Sequence, residues 1–78
     1  MAKAPEESAR AILRIIVSRG VGPNEIDMFG AVQSDFVRPD ASLAQEFAEG
    51  LAYAVEQSWL EVEETRIRLT QAGYEAAN

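Results

Sequence analysis

The stretch LEVEETRIRL, positions 60 to 69, is a chemical mirror of itself, and this symmetry restricts the fold more than anything else in the chain. If Glu64 and Thr65 form a turn, Glu63 faces Arg66, Val62 faces Ile67, Glu61 faces Arg68 and Leu60 faces Leu69. Every apolar side chain then meets an apolar one, and every glutamate meets an arginine. A slip of one residue destroys both agreements. Each cross-strand pair contributes roughly 0.2–1 kcal/mol, and all of them act in the same direction. An antiparallel two-stranded hairpin is therefore predicted. Glu-Thr is not one of the Gly- or Asn-rich dipeptides that two-residue loops favour, so a four-residue loop over Glu63 to Arg66 is the alternative. In either version Arg68 is already partnered by Glu61.

Upstream, the pattern changes to helical. Ala9, Ile12, Leu13, Ile16 and Val17 recur at helical spacing between Pro5 and Ser18, with Pro5 in the first turn and Gly20 past the end. Glu6, Arg10 and Arg14 stand four apart on the flank of this first helix and read as a solvated face. After RGVGPNE, the pair Asn24 and Asp27 is predicted to cap a short second helix carrying Phe29, Val32 and Phe36. The GVG has no preceding strand and no following GK[ST], so it reads as a helix stop and a turn, not a phosphate loop. RPD at 38 to 40 breaks the chain again, and Asp40 or Ser42 caps a third helix predicted over Ala41 to Ser58. Its core stripe is predicted as Leu43, Phe47, Leu51, Val55 and Trp59, flanked by Ala44, Ala48 and Ala52. The opposite face holds Gln45, Glu46, Glu49, Tyr53 and Glu56, and no lysine or arginine lies between Asp40 and Ser58. Thr70 is a candidate cap for a short last helix, on which Tyr74 and Ala77 fold back onto the core while Gly73 permits close approach.

Composition excludes several classes of function. The chain has 78 residues, no cysteine and no histidine, so thiol chemistry, disulfides and the usual zinc ligands are absent. Ser8, Ser18, Ser34, Ser42 and Ser58 consequently have no histidine base, and the single lysine, Lys3, lies in a terminal stretch. The carboxylate clusters Glu6/Glu7 and Glu61/Glu63/Glu64 fall where solvation is the usual condition, and they lack the spaced ligands and glycine of a calcium loop. No catalytic residue, cofactor, metal or small-molecule substrate is expected. No apolar run approaches the ~18 residues of a membrane span, and MAKAPEES lacks the apolar core of a signal peptide, so a cytoplasmic protein with no membrane partner is expected. The net charge of −6 opposes nucleic acid and anionic lipid alike.

The order of helix, short helix, longer helix and hairpin, followed by SWLEVEETRIRLTQAGYE, resembles the winged-helix family, a helix-turn-helix variant with a β wing. The apolar strand, charged tip, RIRL strand and LT-x-AG turn carry the resemblance, and Ala9 to Tyr74 fits the order of elements. It implies an α+β, mainly helical fold: three helices, a two-stranded antiparallel wing and a short C-terminal helix, in one domain over 1–78 with 1–4 as a flexible tail. It also implies that the third helix is the recognition helix, that the wing touches phosphates or the minor groove, and that dimers pair through terminal helices. Here the recognition helix is acidic at the position where DNA binders need cations. Two functions follow. The first is a non-catalytic, regulatory interaction module that meets a protein partner or a second copy through Gln45, Glu46, Glu49, Tyr53 and Glu56. The alternative is a dimeric DNA-binding transcriptional regulator using Arg10, Arg14, Arg38, Arg66 and Arg68.

Overall fold

Residues 4–77 are described by a computed structural model. Helix α1, Pro5–Ser18, starts on its proline, presents Glu6 and Glu7 to the positive end of the helix dipole, and buries Ala9, Ile12, Leu13 and Ile16 completely. Gly20, at φ +89°, turns the chain out of the helix. Strand β1, Ile26–Met28, follows. Helix α2, Phe29–Val37, contributes Val32 and Phe36 to the core. A 3-10 turn at Ala41–Leu43 leads into helix α3, Ala44–Glu56, and then come strands β2, Leu60–Glu63, and β3, Arg66–Leu69, and helix α4, Gln71–Ala76. The three strands form an antiparallel sheet in the order β1-β3-β2.

The mirrored stretch pairs as predicted: Leu60 with Leu69, Glu61 with Arg68, Val62 with Ile67 and Glu63 with Arg66. Pairing of Glu63 with Arg66 leaves Glu64 and Thr65 as a two-residue turn, and Glu64 pays no regard to propensity by adopting φ +56°. Leu60, Ile67 and Leu69 close the core from the sheet side. The hairpin turn is also tied inward, because the α2 N-terminal Phe29 N–H donates to the Thr65 carbonyl at 2.8 Å.

Three expectations need correction. The sheet has three strands, not two: Ile26–Met28 pairs with Arg66–Arg68 along the other edge of β3. Asn24 and Asp27 do not cap α2. Asn24 sits in the left-handed region at φ 67°, Asp27 lies inside β1, and α2 begins after Met28 without a side-chain cap. The third helix is shorter than Ala41 to Ser58, since its first turn is 3-10 and Ser58, at φ 62°, has left the helix. Asp40 does cap, accepting from the Ser42 N–H at 3.0 Å. The expected tail over 1–4 falls mostly outside the described residues, of which Ala4 is the first.

The central contact is α1 against α3, made close by a glycine. A Cβ on Gly50 would stand 2.6 Å from the Ser8 Cβ and 2.8 Å from the Ala9 nitrogen, so the two helix backbones nearly touch there. At the other end, Thr70 explains the LT-x-AG pattern. Its hydroxyl oxygen accepts from the Gly73 N–H at 3.0 Å and donates toward the Ser58 and Trp59 carbonyls, at 2.7 and 3.0 Å. The Trp59 carbonyl occupies the place where a Gly73 side chain would begin, so only glycine fits. Arg10 completes the clasp by donating to the Ala76 carbonyl at 2.9 Å while its guanidinium lies 5.0 Å from the Trp59 ring centre.

Candidate functional site

Helix α3 does not bury the stripe predicted for it. Residues four apart advance by about 400° at 3.6 residues per turn, so a strict four-residue series drifts by about 40° at each step. Phe47, Gly50 and Ala54 face the core, whereas Leu51 is half-buried and Val55 is 43% exposed. The drift brings Leu51 and Val55 to the outside beside the exposed Ala48 and Ala52. Opposite them stand Phe29 from α2 and Val62 from β2, the latter 40% exposed. Together these side chains bound an open apolar groove of about 600 Å³, with Gln33 and Glu56 as its polar members. Its floor is aromatic: the Phe47 ring packs edge-on to Phe29 at 5.6 Å and against Phe36 at 5.4 Å.

The residues expected to form the acidic face do not share one environment. Gln45, Glu49 and Glu56 are exposed next to the apolar half of α3, and the Gln45 amide donates to Glu49 at 3.2 Å. Glu46 is half-buried and, with Ser42, Gln45 and Glu49, lines a separate shallow depression. Tyr53 is not an outward anchor. It is half-buried against the core with its ring 5.7 Å from that of Trp59, on the flank away from the groove.

The arginines fall into three groups, each with its own carboxylates. Arg10 pairs with Glu6 at 3.1 Å, and Arg14 lies beside Arg10 and Glu7 along α1. The expectation of a fully solvated row is corrected for Arg10, which is drawn in by Trp59 and Ala76. Arg19 forks onto Asp27 at 2.7 and 3.3 Å and reaches Asp35 at 3.1 Å, while Arg38 takes the other Asp35 oxygen at 2.7 Å. The bond to Asp27, then that to Asp35, raises the Arg19 pKa above its ordinary value. This network joins the end of α1 to β1 and α2, and Asp27 within it is 8% exposed. On the outer sheet face Arg68 lies 4.0 Å from Glu61, and Arg66 shares that surface with Glu61, Glu63 and Ile26. Among the described residues, Arg14 and Arg66 have no carboxylate within ion-pair distance, and they sit on different elements.

Sequence reasoning missed Phe29, Leu51, Val55 and Val62 as candidate site residues because Leu51 and Val55 were placed in the core stripe of the third helix, Phe29 in the apolar stripe of the second, and Val62 opposite Ile67 in the hairpin. The available signal was the four-residue periodicity itself, whose drift carries its last members round the helix. It also missed that the surfaces of α1 and α4 suggested for dimer pairing are partly engaged with each other through Arg10, Ala76 and Trp59. Among the described residues no helix is long and apolar enough to cross a membrane, and no three His, Cys, Asp or Glu residues gather as a metal-binding group. Compared with models of known protein families, with curated proteins and with solved structures, the chain matches none.

Proposed function

We propose that this chain is a non-catalytic interaction module of winged-helix type, with a regulatory role exercised by binding a protein through the outward face of α3. The succession of α1, α2 and α3, then the β2-β3 ribbon and α4 supports the family assignment. The observation that carries the function is the character of the α3 face. Half of it is apolar and continues into Phe29 and Val62, the other half is Gln45, Glu49 and Glu56, and it has no cation. An apolar centre with a polar rim is the anatomy of a protein interface. It is ill-suited to DNA, whose phosphates dominate affinity and would meet carboxylates here.

The alternative reading, DNA binding through Arg10, Arg14, Arg38, Arg66 and Arg68, draws on Arg14 and Arg66 alone as cations outside ion pairs. Each phosphate contact adds roughly 0.9 to the salt slope, so two contacts give weak, shallowly salt-dependent binding. Fluorescence anisotropy with mixed-sequence duplex DNA at low salt tests the choice. No binding at micromolar protein is expected. Micromolar or tighter binding that weakens steeply with added salt would replace the protein-partner reading with the DNA one.

A further inference from the structure

We infer that the groove between α3, the first turn of α2 and strand β2 receives a basic amphipathic helix of a protein partner, its apolar stripe on Phe29, Leu51, Val55 and Val62, its cations on Glu49 and Glu56. The inference rests on the interaction-module reading and adds the class of the occupant.

Shape points to a helix. Ala48 and Ala52 leave a furrow along α3, and Leu51 and Val55 wall it at successive turns, which suits apolar anchors at i, i+3 or i+4, and i+7 of an incoming helix. Exposure of Val55 and Val62, at 43% and 40%, leaves apolar area that nothing in the described chain covers. Charge narrows the class further. Glu49 and Glu56 are seven residues apart on α3, hence about 10.5 Å along its axis and close to the same side. A helix lying alongside would meet them with two cations placed two turns apart. Lysine or arginine at i and i+7, flanking the apolar stripe, is the expected signature.

The same charges argue against a second copy as the occupant. A two-fold contact through this face brings Glu49 and Glu56 toward their own equivalents, and no lysine or arginine lies on α3 to relieve them. The chain's own terminal helices offer no substitute: α1 packs its apolar face on the core, and α4 has only six residues.

Selection from a displayed library of helical peptides with a fixed leucine stripe and randomised flanks tests this. Expected is enrichment of peptides with basic residues two turns apart. Their affinity should fall by about tenfold or more for Val55→Asp, a change at an exposed position that circular dichroism should show leaves the fold intact. Glu49→Lys with Glu56→Lys should shift the selected flanks from basic to acidic. No enrichment over the Val55→Asp domain, or enrichment indifferent to flank charge, overturns the inference. If light scattering then shows a dimer that Val55→Asp dissociates, the occupant is a second copy and the interaction module stands. If duplex DNA instead binds with steep salt dependence, both fall together.

Discussion

Replacing Gly50 with alanine should destabilise this protein, even though alanine is favoured over glycine in a helix interior by about 1 kcal/mol. A Cβ at Gly50 would come within 2.6 Å of the Ser8 Cβ and 2.8 Å of both the Ala9 nitrogen and the Ser8 carbonyl carbon. Carbon atoms pack at about 3.5–4.0 Å, so α1 and α3 must move apart by roughly 1 Å to accept the methyl group. Two of the three obstacles are backbone atoms within a helix, and no side-chain rotation can clear them. Overpacking of this kind costs about 1–3 kcal/mol, and separation of the two helices also loosens Ala9, Ile12 and Phe47, which places the cost in the upper part of that range. After the propensity gain, a net loss of about 1–2 kcal/mol remains. In a domain of this size each kcal/mol moves Tm by about 4–8 °C, so a fall of roughly 5–15 °C is expected. Gly30→Ala is the control: Gly30 lies in the first turn of α2, a Cβ there has nothing within 4 Å, and its stability should hold or rise by a few tenths to about 1 kcal/mol. Thermal and urea unfolding followed by far-UV circular dichroism would measure both variants. A Gly50→Ala protein that melts at or above the parent temperature with an unchanged urea slope would refute the close backbone approach on which the argument depends.

Three further outcomes follow from individual residues. Ser8 is 1% exposed and its hydroxyl has no hydrogen-bond partner among the described residues, so Ser8→Ala should stabilise the protein by about 1 kcal/mol in urea unfolding; a loss would mean the hydroxyl is satisfied. Glu64 holds a left-handed turn conformation that glycine adopts without strain, so Glu64→Gly should raise stability by about 0.5–1 kcal/mol, and an unchanged Tm would count against that turn geometry. The Ser42 backbone N–H, with its hydroxyl adding to the effect, holds the Asp40 carboxyl below the ordinary aspartate value. A group whose pKa is depressed by folding stabilises the native state above its unfolded pKa and ceases to do so as pH falls through its folded pKa. Stability measured from pH 5 downward should therefore fall less steeply in Asp40→Asn than in the parent below about pH 4. Parallel curves for the two proteins would remove Asp40 from the acid response.

The parts of this fold that were legible in the sequence are those where local chemistry and tertiary position agree. The hairpin was readable pair by pair because the alternation of its strands and their charges point to one register. Helix α1 was readable because its apolar positions all face one core. Strand β1 was hidden because its pattern is inverted: Ile26 and Met28 point outward at 46% and 53% exposure, while Asp27 points inward to Arg19. A buried aspartate between two exposed apolar residues reads as a turn or a cap, and only the distant arginine makes it a strand position. The α3 face was half legible. The acidic residues and the absence of cations are sequence facts, but the groove depends on which side of α3 meets α1. That side is chosen by Gly50, a residue whose role is to be small, and nothing local announces that Ser8 will sit against it. Tyr53 was misplaced for the same reason, since the rotation that exposes Val55 turns Tyr53 toward Trp59.

Trp59 is the only tryptophan in the chain, and it stands where Arg10, Tyr53 and Thr70 converge from α1, α3 and the start of α4. Its indole is consequently a built-in optical reporter of whether the last helix is seated. It is not among the residues that bound the groove. Its emission should therefore follow assembly of the molecule from α1 through α4 and stay nearly constant under binding at the proposed groove, so that a change in the indole signal reports folding and not occupancy of that groove.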